Sequence, residues 1–266
     1  METIYTMENG FGCDAGLLPR GWFAGVIVLQ DFDAEFLSEL GRYSVTFKEG
    51  KEETAWSNAV VFSKRKLLLV SCVDGRIEGQ ELAEAERITG LAACGGQQPV
   101  LVWTEFCEGV WRLVVWTPAG RSVLFESERM LRSPSAAMAE DKMFVACEYA
   151  ENRRSVVAVW MDGSKSPITV EGRRPKLAGS NADQAFLMVE RSTSLNVKLL
   201  AYQLNSRGAI KQISVPQMGD YSFNAHLACH PSDEILYAVY EVCPRWGRDE
   251  RMGLHRDIAL MVLAPG

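Results

Sequence analysis

From residue 56 onward one pattern of small, polar and bulky apolar positions recurs along the chain. A run of small residues is followed by a polar break and then by a run of large apolar ones. Five copies align: WSNAVVFSKRKLLLVSCVD (56–74), TGLAACGGQQPVLVWTEF (89–106), SPSAAMAEDKMFVACEY (133–149), RPKLAGSNADQAFLMVER (174–191) and HLACHPSDEILYAVYEV (226–242). Short runs rich in Val, Leu, Phe and Trp, bounded by Gly, Pro, Asn and Asp, read as strands, and two of them about a polar turn read as a hairpin. From the second copy on, the bulky strand ends on a glutamate: Glu105, Glu148, Glu190 and Glu241, spaced by 43, 42 and 51 residues. A strand-built unit repeating at this period predicts propeller blades.

The rest of each unit fits. VWRLVVWTPAG and RSVLFESE follow Glu105. RSVVAVWMDGSKSPITVE, two strands about Asp162-Gly163, follows Glu148. NVKLLAYQLNSRG and AIKQISVP follow Glu190. Four antiparallel strands, A to D, in about 40 residues make one blade. Strand A carries Ala, Gly, Ser and Cys because blades converge at the axis, whereas B and C carry the bulk that fills the space between sheets. Two units are irregular. The first runs from strand B into GRIEGQELAEAERI and reads as having lost a strand. The last has IALMVLA (258–264) as its third strand and no fourth.

Residues 1–20 have little pattern. GWFAGVIVLQDF (21–32) reads as a strand. Asp33 caps a short helix with Phe36, Leu37 and Leu40 on one side and Gly41 at its end, and RYSVTFKEG alternates as a half-buried strand. A ring removes an open sheet edge by borrowing a strand from the other terminus, so residues 21–49 are expected to pair with the sheet that holds 258–264. The fold class expected is all-β: a β-propeller of five blades closed by an N-terminal strand. Six blades, with residues 21–54 in the extra one, is the alternative, and a two-layer sandwich the third. The chain reads as a single propeller domain, residues 1–54 serving closure and 55–266 the repeats.

These hairpins resemble the sialidase-like (BNR-type) propeller repeats of bacteria over about residues 55–266. The shared features are a small-residue strand, a turn, an apolar strand ending in an acid, and a strand closing on a DG turn as in WMDGSKSP. The box S-x-D-x-G-x-T-W of sialidases does not occur. The tail EVCPRWGRDERMGLHRDIAL is similar to the closing segment of propeller regions in large bacterial multidomain proteins. What the resemblance implies is a propeller and, as a candidate function, one directed at carbohydrate.

Charge and cysteine content narrow the partners. The formal net charge is -6, which repels phosphate backbones, so no nucleic acid is expected. No apolar run approaches the ~20 residues of a membrane helix, and METIYTMENGFGCDAG lacks a basic start followed by an apolar stretch, so no membrane partner is expected either. The seven cysteines form no CxxC pair, and Cys72, Cys94, Cys147 and Cys229 sit in apolar runs. They read as reduced, buried thiols, and a cytoplasmic location is the expectation. The histidines His226, His230 and His255 join no Cys/His cluster, and no P-loop, GxSxG or GxGxxG occurs. Neither a metal nor a cofactor is expected.

Two groups of residues carry candidate chemistry. If the strands B emerge on one face, Glu105, Glu148, Glu190 and Glu241, with Asp74 in the first unit, ring that face and could hold a cation or a polyhydroxyl ligand. The plainer reading is that each pairs with an Arg or a backbone N–H of a neighbouring blade. The second group is the insertion 243–257, where Arg245, Trp246, His255 and Arg256 set an aromatic plate beside forked donors, a combination suited to sugars or carboxylates. Arg173 and Arg174 are expected near the same mouth. Five-bladed glycosidases need carboxylates on innermost strands, and the strand-A sequences hold no Asp or Glu and no interior Arg. The function expected is a non-catalytic propeller module for a carbohydrate-like ligand or a protein partner. The alternative is a glycoside hydrolase of the sialidase-like or five-bladed type.

Overall fold

The structure, a computed structural model, describes residues 10–17, 23–29, 65–73, 76–95, 99–151, 154–161, 164, 166–180, 183–193, 196–216, 221–229, 235–243 and 257–263. Among these residues there is no helix, and the strands group into five antiparallel blades.

Blade 1 holds β1 (Gly10–Leu17), β2 (Phe23–Leu29), β3 (Arg65–Val73) and β4 (Arg76–Ala85). Blade 2 holds β5 (Arg87–Gly95), β6 (Pro99–Cys107), β7 (Val110–Thr117) and β8 (Gly120–Ser127). Blade 3 holds β9 (Leu131–Ala139), β10 (Lys142–Glu151), β11 (Arg154–Met161) and β12 (Ile168–Glu171). Blade 4 holds β13 (Arg173–Gly179), β14 (Gln184–Ser192), β15 (Val197–Asn205) and β16 (Ile210–Ile213). Blade 5 holds β17 (Tyr221–Cys229), β18 (Leu236–Cys243) and β19 (Asp257–Leu263). Each sheet is laid down in chain order, and one parallel bridge, Val197 to Tyr221, links blade 4 to blade 5.

Packing occurs between blades. Each strand B buries alternate residues on opposite sides, the period-2 consequence of the pleat. In β10, Val145 and Cys147 pack toward blade 2 with Val102 and Leu113, while Phe144 and Ala146 pack toward blade 4 with Leu177 and Leu187. Met188 and Leu199 meet Ala238, Tyr240 and Met261 between blades 4 and 5. At the axis the innermost strands approach until there is no room for a side chain. A Cβ on Gly179 would lie 1.8 Å from the Met138 carbonyl oxygen of β9. The Ser135 hydroxyl of β9 accepts from the Leu177 amide of β13 at 2.9 Å. The small residues of strand A therefore answer a contact between backbones.

Several expectations are corrected. Residues 65–73, read as a strand B, are the third strand of blade 1, and RIEGQELAEA, within the stretch where a strand was expected to be lost, is its fourth. Gly10–Leu17, inside a stretch with little pattern, is an edge strand of that sheet and lies beside β5. Residues 23–29 do not join the last sheet. Both edges of β2 are already paired, with β1 and β3. The other closing segment, 43–49, lies outside the described residues, as do 33–41, 56–64 and Asp162-Gly163. Blade 5 has three strands among the described residues, and Ile258, Leu260 and Val262 on one side of β19 are 79%, 62% and 54% exposed.

Candidate functional site

One backbone device recurs in every strand A from blade 2 onward. Opposite the end of strand B, strand A carries one extra residue: between Ile88 and Gly90, Arg132 and Ser135, Arg173 and Lys176, and Phe223 and His226. This is a β-bulge. In blades 3, 4 and 5 it starts on a residue with positive φ: Ser133 (50°), Arg174 (49°) and Asn224 (52°). The distortion turns that residue's N–H out of its own ladder, so it needs an acceptor elsewhere.

The glutamates supply it. Glu148 is buried, and its Oε2 accepts from the Arg174 amide of the next blade at 2.9 Å, while Arg132 donates to its Oε1 through Nε (3.0 Å) and Nη2 (2.6 Å). Glu190 repeats this one blade on. Its Oε1 accepts from the Asn224 amide at 2.8 Å and its Oε2 from Arg173 Nε at 3.0 Å. Arg174 Nη1 approaches the same Oε1 at 3.5 Å. Glu241 faces the side away from blade 4, and its Oε1 accepts from Asn224 Nδ2 at 2.8 Å. Asn224 also accepts from Arg174 Nη1 through Oδ1 at 2.8 Å, so one asparagine ties together two acids and an arginine. Asn tolerates the left-handed conformation better than most residues.

Glu105 differs. It shares a side with Leu101 and Trp103, which pack toward blade 1, whereas Glu148 and Glu190 face the following blade. Trp103 Nε1 donates to it at 2.7 Å, Arg121 pairs with it, and that guanidinium lies 5.6 Å over the Trp103 ring. The place of Glu148 in blade 2 is taken by Phe106, 42 residues upstream and opposite Arg87 as Glu148 is opposite Arg132. The Arg87 guanidinium lies 5.8 Å from the Phe106 ring centroid. A cation–π contact thus stands where the next two blades have an ion pair.

The expected ring of converging acids is therefore corrected. Glu105, Glu148 and Glu190 are each engaged by donors at their own blades, while Glu190 and Glu241 meet through Asn224. Among the described residues no three His, Cys, Asp or Glu side chains gather around a cation position. The plainer reading, that they join blades, describes Glu148 and Glu190. The expectation of no Arg in the interior of a strand A is also corrected, because the strands begin earlier than expected: Arg132 lies within β9, and Arg173 and Arg174 open β13. Asp74, Arg245, Trp246, His255 and Arg256 lie outside the described residues.

The innermost strands surround a cavity of about 570 Å³. Among the described residues its walls include Gly90, Ser133, Arg174, Lys176, Asn224 and His226, together with Glu190, Val239, Glu241 and Ile258. Lys176 is half-buried and His226 exposed, and neither has a hydrogen-bond or ion-pair partner among the described residues. Sequence reasoning missed Lys176, Asn224 and His226 as site residues. The signal available for the first two was their place just inside a bulge, which Pro175 and the apolar run of strand A conceal.

Two buried groups lead to further predictions. The Tyr240 hydroxyl is buried beside blade 4 without a hydrogen-bond partner among the described residues, and burial raises its pKa. An unpaired buried hydroxyl costs about 1–3 kcal/mol. Tyr240→Phe is therefore expected to stabilise the protein by about 1 kcal/mol, visible as a higher urea midpoint at unchanged slope; a lower midpoint would show that the oxygen is bonded. Burial also pushes the Cys147 thiol up to about 12. A raised thiol pKa leaves the neutral form dominant up to that pH. At pH 7 only about one thiol in 10⁵ is then thiolate, so Cys147 should resist iodoacetamide in the native protein and react on unfolding, as read by peptide mass spectrometry.

No protein-family model matches the chain, and no curated protein matches it. Among solved structures, the β-propeller domain of the Trilobed protease from Pyrococcus furiosus, described as having an open velcro topology, superposes with a TM-score of 0.52 at 10% identity, over 97% of this chain and 69% of that one. TolB from Acinetobacter baumannii superposes less closely, with a TM-score of 0.45 at 11% identity over 76% of this chain, which spans about half (49%) of TolB's length. An α-L-arabinofuranosidase from Podospora anserina, in complex with cellotriose, gives 0.42 at 9% identity over 94% of this chain and 89% of that one. At such identities the first likeness is one of fold, and the fold is that of a β-propeller.

Proposed function

We propose that the chain is a non-catalytic propeller module that binds a carbohydrate-like ligand in its axial cavity. The observation that carries this reading is the division of labour among the polar groups. Glu105, Glu148 and Glu190 are buried and held at blade junctions, while Lys176 and His226 face the cavity without partners among the described residues. A volume of about 570 Å³ falls in the range of small-molecule sites. The likeness of the hairpins to sialidase-like repeats supports a sugar as the ligand.

The test is calorimetric titration of a panel of neutral and acidic saccharides. At least one should bind, and His226→Trp, which fills the cavity from an exposed position, should abolish that binding without moving the melting temperature. Binding that survives His226→Trp would place the ligand elsewhere.

A hydrolase is the second reading, because Glu190 and Glu241 line one cavity and meet through Asn224. Covalent geometry limits their bonded oxygens to about 10 Å apart, within reach of the spacing of an acid–base pair. Against it, both oxygens of Glu190 already accept from the seam. Release of reducing sugar that disappears in Glu241→Gln would establish hydrolysis. No release above background is the outcome expected.

A further inference from the structure

Blade 5 carries an acid whose partner the repeat itself specifies. At the joints between blades 3 and 4 and between blades 4 and 5 the arrangement is the same. One oxygen of the acid is held by strand A of its own blade, by Arg132 for Glu148 and by Arg173 for Glu190. The other oxygen accepts the bulge amide of the following blade, Arg174 and Asn224 in turn. Glu241 begins the same arrangement. Its Oε1 accepts from Asn224 Nδ2 of its own strand A, and it engages a further group as well. It pairs with Ile258 across the sheet and lies on the side of β18 opposite Tyr240, so it faces away from blade 4. In a ring of five, that side belongs to blade 1.

Blade 1 has the matching bulge. The register of β1 on β2 shifts between Gly12 and Asp14, which pair with the successive residues Ile27 and Val26. One extra residue therefore sits in β1, as in the other four strands A. The first pair beyond the bulge starts at Lys176 in β13, at His226 in β17 and at Asp14 in β1. The donating amides, Arg174 and Asn224, stand two residues earlier, and the same count in β1 gives Gly12. At this position Ser133, Arg174 and Asn224 take φ of 50°, 49° and 52°, a conformation that glycine adopts at least cost. Further from the axis, Ile258, Leu260 and Val262 lie on the same side as Glu241 and are exposed. The apolar packing that backs the latch between blades 4 and 5 is therefore missing along β19, and the contact at the axis has to carry this joint.

We propose that Glu241 closes the ring by accepting the bulge amide of Gly12, so that the last blade is joined to the first by a carboxylate and not by a shared strand. Both oxygens of Glu241 are then committed to the joint. That takes it out of acid–base work and makes it a fixed part of the cavity wall beside Asn224. The amide is that of the same chain, because the chain holds its own blade 1 at an effective concentration that a second copy in dilute solution does not reach.

The test is a thermodynamic cycle between the two groups. Cys13 allows the chain to be assembled by ligating a synthetic peptide 1–12 to residues 13–266, with the amide of Gly12 either intact or replaced by an ester. The ester removes the N–H and touches no side chain. The ester and Glu241→Ala are each expected to lower the urea midpoint, and the double variant should unfold where Glu241→Ala alone does, because both changes delete the same bond. Glu148→Ala, which acts between blades 3 and 4, should add to the ester in full. Glu241→Gln is carried through the same cycle, so that the comparison can be made if the alanine variant does not fold. Additive effects of the ester and the Glu241 variants overturn the proposal, and so does an ester protein that unfolds at the wild-type midpoint. A midpoint that rises with protein concentration would show that a second copy supplies the amide, and closure within one chain would fall.

Discussion

Glu148→Ala is expected to lower the stability of the protein by about 2–3 kcal/mol. The carboxylate is buried and receives three hydrogen bonds: two from Arg132 and one from the amide of Arg174 in the next blade. Truncation leaves a guanidinium and a backbone N–H without their acceptor. The arginine can recover part of its loss, because its side chain is 49% exposed and water can reach it. The amide belongs to a residue held at φ 49° by the bulge, where no ladder acceptor is available. The hydrated arginine brings the cost to the bottom of the range for broken buried pairs or just below it, and the stranded amide keeps it above that of a surface pair. Glu148→Gln keeps one oxygen for the amide and should lose about half as much. Urea unfolding of the two variants, compared at equal slope, makes the measurement. An alanine variant within experimental error of wild type would mean that this acid behaves as an ordinary surface pair.

Gly179→Ala should cost more, about 3 kcal/mol or beyond, and can prevent folding outright. The added methyl would lie 1.8 Å from the carbonyl oxygen of Met138 and 2.5 Å from its carbon, both backbone atoms of the adjacent blade. Neither can swing aside as a side chain would, so β9 and β13 must separate, opening the packing of Leu177 and Leu187 against Phe144 and Ala146. Gly90→Ala is the comparison. Its methyl would come within 2.6 Å of Pro134 Cδ, a ring atom bonded to the backbone nitrogen, so the bulge must shift there too, but by less than the 1.8 Å contact at Gly179 requires. The ranking, with Gly179→Ala clearly worse than Gly90→Ala in thermal unfolding, is the outcome to check. A Gly179→Ala protein that melts with the wild type would mean that the innermost strands stand further apart.

The blades with long apolar strands were readable from the pattern alone. Strands B and C of blades 2 to 4 follow from period-2 alternation, and Glu148 and Glu190 from the repeat spacing. What stayed hidden has one cause in several places. Each strand A begins before its bulge, at Arg87, Leu131, Arg173 and Tyr221. The extra residue breaks the alternation, and Pro134 and Pro175 inside it read as strand breakers. Arg132 and Asn224 therefore carried no signal, and Arg173 and Arg174 stood out only as a pair near the mouth. Glu105 misled for a related reason. Its spacing is one residue longer than the 42 that separates Phe106 from Glu148 and Glu148 from Glu190, and one residue in a strand moves a side chain to the opposite side. Blade 1 escaped because β2 and β3 are 35 residues apart in the chain, which no local repeat bridges. The cavity wall was illegible because Lys176 and His226 acquire meaning only when β13 and β17 stand side by side.

The bulge amides also give the molecule built-in reporters of its own cohesion. An amide bonded within its own sheet exchanges hydrogen with solvent when that sheet opens, whatever its neighbour does. The amides of Arg174 and Asn224 are different, since each is held by an acid from the preceding blade. Their exchange registers the parting of two blades while both sheets remain intact. Arg174 watches the joint between blades 3 and 4, and Asn224 the joint between blades 4 and 5. Two backbone protons thus separate breathing of the ring from melting of its parts, a distinction that no global unfolding signal can make.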